Sequence, residues 1–186
     1  MALVYTPNPA LGTPCPAFEL PSTSGGVISL KSLTDPQPPT ALLVMFICNH
    51  CPYVKAIEPR LVELFEQFRA RSVAMVAISS NDASRYPEDS FEKMKEKKYP
   101  FAYLFDETQD VATRFGAVCT PDFFLYNSKL ELAYRGRLDD SWKEPSAVSS
   151  RDLAGAIESL LQGMNPNRDQ KPSMGCSLKW KPGKGL

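Results

Sequence analysis

Two unbroken apolar runs, Thr40–Ile47 and Val73–Ile78, restrict the fold of this chain more than any other feature. A strand with one wet face alternates apolar and polar residues. A run without alternation, rich in Val and Ile, predicts a strand buried on both faces. Between the two runs, Leu61, Leu64, Phe65 and Phe68 recur at i, i+3, i+4 and i+7, the single apolar stripe of a helix. A buried strand, a helix and a second buried strand imply a parallel pair with helices on the sheet. Further on, a helix is expected over 88–98, with Phe91 and Met94 inward, Lys93, Lys95 and Lys97 outward, and Pro87 suiting its first turn. A short strand at 101–105 and a helix at 110–115 stopped by Gly116 follow. Strands at 122–126 and 130–135 are joined by Asn127-Ser128-Lys129, and a last helix spans 149–162. Ahead of all this, 17–20 and 27–30 flank Ser24-Gly25-Gly26 as a hairpin, and Asp35–Pro39 forms a stiff loop. The fold class is α/β: a central mixed β-sheet flanked by helices, with an N-terminal β-hairpin.

At roughly 100–200 residues per domain, 186 residues make one domain over 1–186, whose tail, 163–186, is rich in Pro, Gly and Lys and expected to be extended. The 21 Lys+Arg balance 21 Asp+Glu. That weighs against nucleic acid as a partner, because phosphate binding needs surplus positive charge. The longest apolar run, Ala41–Cys48, is far short of the roughly 20 residues that span a bilayer, so no membrane association is expected. The start, Met-Ala-Leu-Val-Tyr-Thr-Pro-Asn-Pro, lacks the basic segment of a secretory signal, and a cytoplasmic location is the default expectation. Five cysteines, an odd number, do not read as a disulfide scaffold.

The chemistry concentrates in Cys48-Asn49-His50-Cys51, placed where a buried strand passes into a helix. C-x-x-C in that context is a redox signature. A helix N-terminus favours negative charge, which would stabilise a thiolate on Cys48, and two intervening residues let Cys51 reach back to close a disulfide. Exchange needs one attacking thiol and one resolving thiol, and the spacing supplies both. His50, with Asn49 beside it, is expected to tune Cys48: a protonated imidazole would lower its pKa and make the disulfide more oxidising. A second motif, Gly116-Ala117-Val118-Cys119-Thr120-Pro121, precedes a strand, and an X-Pro bond there admits the cis form.

Together the two motifs resemble the thioredoxin superfamily, in which a loop ending in cis-Pro lies against the C-x-x-C. The resemblance covers about residues 15–162. The hairpin and the insert around 87–105 look like its redoxin branch, which holds thiol–disulfide reductases of the TlpA/ResA kind and the alkyl hydroperoxide reductase/thiol-specific antioxidant (AhpC/TSA) group. More narrowly, the segments 48–56, 119–126, 134–140 and 174–181 look like a group of bacterial thioredoxin-family proteins of this size. It implies a thioredoxin-like fold, Thr120 and Pro121 facing Cys48, and the Thr120 backbone pairing with an incoming substrate strand. The implied activity is thiol–disulfide exchange through Cys48 and Cys51. Partners would be protein or small-molecule disulfides and thiols, with an electron donor that the sequence does not identify, and no cofactor.

Two rival readings stand beside this one. A thiol peroxidase would use Cys48 as the peroxidatic cysteine; such enzymes usually carry Thr or Ser three residues earlier, where this chain has Met45. A metal or copper-binding module would need more ligands than one C-x-x-C, with Cys119 and Cys176 the only thiols to complete it, so no metal is expected. Cys119 reads as a small buried hydrophobe or a third redox thiol. Cys176 reads as an inert tail thiol, with resolution of a Cys48 adduct as the alternative. Cys15 reads as structural, and Arg135, Arg137, Asp139 and Asp140 as an ordinary charged loop or a rim to the site.

Overall fold

The structure, a computed structural model, describes residues 3–185; Met1, Ala2 and Leu186, the ends of the expected 1–186 domain, lie outside the described residues. At its centre is a five-stranded sheet in the order β6-β5-β4-β8-β9, formed by β4 (Ala41–Phe46), β5 (Val73–Ser79), β6 (Ala102–Phe105), β8 (Asp122–Asn127) and β9 (Leu132–Tyr134). β4 runs parallel to β5, and β5 parallel to β6, while β8 pairs antiparallel with β4 and with β9. The sheet is mixed, as expected.

Every residue of β4 is buried, which explains its lack of alternation. Ala41, Leu43 and Met45 face one core with α2 (Pro52–Phe68) and α5 (Asp152–Leu161); Leu42, Val44 and Phe46 face another with α4 (Asp110–Phe115). Full burial of each such side chain is worth about 1.5–3 kcal/mol, so β4 is held from both sides. In α2 the stripe of Val54, Ile57, Leu61, Leu64 and Phe68 is buried. The expected hairpin forms from β2 (Glu19–Pro21) and β3 (Val27–Ser29), with Gly25 and Gly26 at positive φ. Leu30–Thr34 then turns into a short helix, α1, behind a Ser29–Ser32 capping box.

Three expectations need correction. The helix predicted over 88–98 is broken into a 3-10 turn at Pro87–Asp89 and α3 (Phe91–Lys95), because Ser90 takes the N-cap and its hydroxyl accepts from the Lys93 N–H. The last helix begins at Asp152 rather than 149, since the Ser149 amide and hydroxyl are both tied to the Asp140 carboxylate. The strand expected from 130 begins at Leu132, because the Asn127 side chain accepts from Lys129 and Glu131 N–H and Leu130 takes a positive φ.

The tail contributes a strand, which its Pro, Gly and Lys content did not predict. β10 (Met174–Ser177) sits between β1 (Leu3–Tyr5) and β7 (Cys119–Thr120) in a second, antiparallel sheet. Beyond it, Lys179 donates its N–H to Asn81 Oδ1, while its carbonyl accepts from the Asp82 N–H and from Gln109 Nε2. The Gln109 side-chain oxygen takes the Lys181 N–H. These bonds fasten the tail across the carboxyl ends of β5 and β6.

Candidate active site

The motif leaves β4 at Phe46, and Cys51 is the N-cap of α2 with Pro52 at its first turn. The helix dipole, which fades within a turn, therefore acts chiefly on Cys51, whereas the sequence placed it on Cys48. Both sulfurs are buried, at 1% and 0% exposure, and belong to the same core cluster.

The Thr120–Pro121 bond is cis, and Thr120 lies against both cysteines. Its Oγ1 is 3.4 Å from Cys48 Sγ, and its carbonyl oxygen is 3.1 Å from Cys51 Sγ, placed to accept a thiol hydrogen. The residues that the resemblance brought together are thus in contact. The backbone edge of Thr120, expected to meet an incoming strand, is already paired: Cys176 lies opposite Thr120, and Ser177 opposite Cys119. Gly175 permits this approach, since a Cβ there would stand 2.0 Å from the Thr120 carbonyl oxygen.

Asp89, which sequence reasoning missed, is the electrostatic centre of the loop. Its fully buried carboxylate accepts from the backbone N–H of Asn49 at 2.8 Å and of His50 at 3.2 Å, from Asn81 Nδ2 at 2.8 Å and from His50 Nδ1 at 2.5 Å. Burial opposes its charge, but the bonds from His50 and Asn81 hold the carboxyl below its ordinary range. Nothing in the local pattern Pro87-Glu88-Asp89 distinguishes this residue from a helix-start acid.

This changes the expected role of His50. Its Nδ1 is 3.9 Å from Cys48 Sγ but committed to Asp89, and Tyr86 stacks on its ring at 5.1 Å. Asn49 points away from both sulfurs: its Nδ2 donates to the Glu88 carbonyl and its Oδ1 accepts from the Tyr103 hydroxyl. Asn49 holds the loop in shape.

The cysteine pair shares its protons. The hydrogen bond from Cys48 lowers Cys51 to about 5 despite burial, with help from Thr120 and the Val54 and Cys176 amides. The same bond, burial and the Asp89 charge push Cys48 well above the ordinary thiol range. The two directions favour negative charge on Cys51 over Cys48, the opposite of the order that the sequence suggested.

Cys119 is fully buried, its Sγ turned to the Pro121 carbonyl at 3.5 Å, and burial pushes its thiol up. Cys176 is 2% exposed, and its thiol hydrogen-bonds to Cys51. Arg135 is no rim residue: it pairs with Asp122 at 2.8 Å and donates to the Gly116 carbonyl, clamping the two ends of the Thr120–Pro121 loop. Arg137 pairs with Asp152, and Asp139 with Arg60. Beside Pro121 opens a groove of about 330 Å³, lined among others by Tyr53, Ile57, Trp142 and Met174 but by neither redox cysteine.

The arrangement, a cysteine pair at a strand–helix junction facing a cis-proline loop, sits on a thioredoxin-like fold. The thioredoxin domain of a thiol-disulfide oxidoreductase from Bacteroides vulgatus superposes with a TM-score of 0.61 at 19% identity, over 82% of this chain and 98% of that one. The AhpC/TSA family profile matches residues 11–135, so the chain belongs to that family and to the redoxin branch of the thioredoxin superfamily. Two solved structures are similar along nearly their whole lengths. One is an uncharacterized conserved protein from Geobacillus kaustophilus (43% identity, 99% of each chain, TM-score 0.91). The other is a hypothetical protein from Sinorhizobium meliloti 1021 (37% identity, 96% of this chain and 99% of that one, TM-score 0.89). No curated protein gives a significant match. The family supports a redox, oxidoreductase role. No described helix is long and apolar enough to cross a membrane.

Proposed function

We propose that the protein is a thiol–disulfide oxidoreductase working through Cys48 and Cys51. The observation that carries this reading is the contact of both sulfurs with Thr120, next to the cis bond to Pro121. As Cys48 attacks a substrate disulfide, its proton passes along the hydrogen bond to Cys51, whose S–H then has the Thr120 carbonyl as acceptor. One substrate sulfur bonds to Cys48 and the other leaves as thiolate, taking up a proton. Cys51 then gives up its proton and attacks Cys48, the mixed disulfide breaks, and reduced substrate departs from a Cys48–Cys51 disulfide. A donor dithiol reverses the oxidation by two successive exchanges and leaves as its own disulfide. His50 and Asp89 fix the loop that aims Cys48. Substrates are disulfides of proteins or small molecules, which reach Cys48 by way of the Pro121 side.

The test is reduction of insulin disulfides with a dithiol donor, run beside hydroperoxide consumption. Wild-type protein is expected to reduce insulin, and Cys48→Ser to fall at least about a thousandfold, as losing a nucleophile does elsewhere. Peroxide consumption without insulin reduction would replace this reading with the peroxidase one. A second reading rests on Cys48, His50 and Asp89, whose ligand atoms lie within 4.8 Å of one another. Stoichiometric copper or zinc retained through dialysis, and lost in His50→Ala, would favour it.

A further inference from the structure

The redox reading uses two cysteines, yet three meet here. Thr120 touches all of them: its hydroxyl lies by Cys48, its carbonyl by Cys51, and its backbone pairs with Cys176. Cys176 is buried in the same core cluster as Cys48 and Cys51, directly across from Thr120, whose carbonyl oxygen is 3.1 Å from Cys51 Sγ. Cys176 is brought there by deliberate packing. β10 is flanked by strands on both sides, Gly175 is bare so that the two backbones can close, and Ser173 Oγ donates to the Pro121 carbonyl at 2.9 Å. A thiol in the tail has no structural need of such a place.

We infer that Cys176 is a third redox thiol, which exchanges with the oxidised pair to form a Cys51–Cys176 disulfide and set Cys48 free. The inference rests on the redox reading of Cys48 and Cys51. In the step, the Cys176 sulfur attacks Cys51 Sγ, the Cys48–Cys51 bond breaks, and the Cys176 proton ends on Cys48. One disulfide replaces another, so no outside oxidant or reductant enters. The state of Cys51 governs when this happens. In the reduced pair, burial and the hydrogen bond and charge of Cys51 push the Cys176 thiol up to about 11. Once Cys51 is in a disulfide, its charge is gone, and Lys179, which favours the Cys176 thiolate, acts with less opposition. Cys176 is restrained while the site is reduced and released when it is oxidised.

The consequence is a protein that stores its oxidising equivalent on the C-terminal strand while Cys48 is a free thiol. A mixed disulfide on Cys48 then persists, because Cys51 is occupied and does not resolve it.

The experiment is mass-spectrometric disulfide mapping of the full chain, equilibrated with glutathione and its disulfide and trapped with acid and alkylation. Wild-type protein is expected to show both Cys48–Cys51 and Cys51–Cys176 linkages. Cys48→Ser is expected to carry Cys51–Cys176 in most molecules, and Cys176→Ser to carry Cys48–Cys51 alone. The inference is overturned if wild-type protein shows Cys48–Cys51 reversibly while Cys176 stays fully alkylatable in both wild type and Cys48→Ser. Absence of any reversible Cys48–Cys51 linkage would instead overturn the redox reading beneath it. Cys176→Ala, with circular dichroism matching wild type, separates loss of the thiol from loss of the strand.

Discussion

The two sheets of this molecule are built on different principles. The five-stranded sheet is held by apolar burial: β4 has no exposed residue, and helices cover both of its faces. The three-stranded sheet is held by backbone hydrogen bonds and polar ties among strands of two to four residues. Its ties include Ser173 with Thr6 and Pro121. Cys48 hangs from the end of the first sheet, and Thr120 and Cys176 belong to the second. The reactive sulfurs therefore lie at a seam between a rigid element and one that opens at lower cost. Such a seam suits exchange chemistry, in which a buried sulfur must be exposed to a partner without unfolding the domain.

Substitutions in the two sheets separate these roles. Leu43→Ala removes a fully buried side chain from β4 and is expected to cost about 2–5 kcal/mol in chemical denaturation. The alkylation rate of the cysteines under native conditions should change little. Gly175→Ala is expected to cost less, about 1–3 kcal/mol, because β10 shifts or peels from β7 to relieve the overlap with Thr120. Here the alkylation of Cys51 and Cys176 should accelerate more than tenfold, and amide exchange at Thr120 and Cys176 should speed up. Equal thiol exposure in the two variants would remove the distinction between the sheets.

The third comparison is a pH dependence. With Cys51 lowered to about 5 in the folded protein against 9.0 ordinarily, the unfolded chain binds more protons between those values. Stability of the reduced protein, measured relative to the oxidised one, in which neither thiol of the pair titrates, should rise with pH across that window. The slope should be at most about 1.4 kcal/mol per pH unit. Above the ordinary thiol value the trend reverses, because Cys48 stays protonated while the unfolded thiol ionises. Unfolding of both redox forms between pH 5 and 9 checks the sign. A flat difference would mean that the two sulfurs do not share a proton.

The parts of the fold that were legible in the sequence are those in which neighbours along the chain determine the environment. The apolar runs at 40–47 and 73–78, the stripe of α2 and the Gly116 stop of α4 all report local burial or local backbone geometry. The cysteine pair was legible from its spacing, and the place of the Thr-Pro turn against it was implied by the resemblance to the thioredoxin superfamily. Asp89 was not, because its role comes from four donors, three of them in the motif loop and one on Asn81. Cys176 was not, because β10 has too few residues to show a period and pairs with strands far away in sequence.

By itself, then, the sequence determined the α/β class, the central sheet and the identity of the sulfurs. The tertiary structure alone decided what surrounds each sulfur and which third thiol stands beside the pair. Hydrophobic pattern is written residue by residue along the chain. A carboxylate bound by four donors, an imidazole tied to that carboxylate and a strand pairing are properties of groups that only folding brings within a few ångströms of one another.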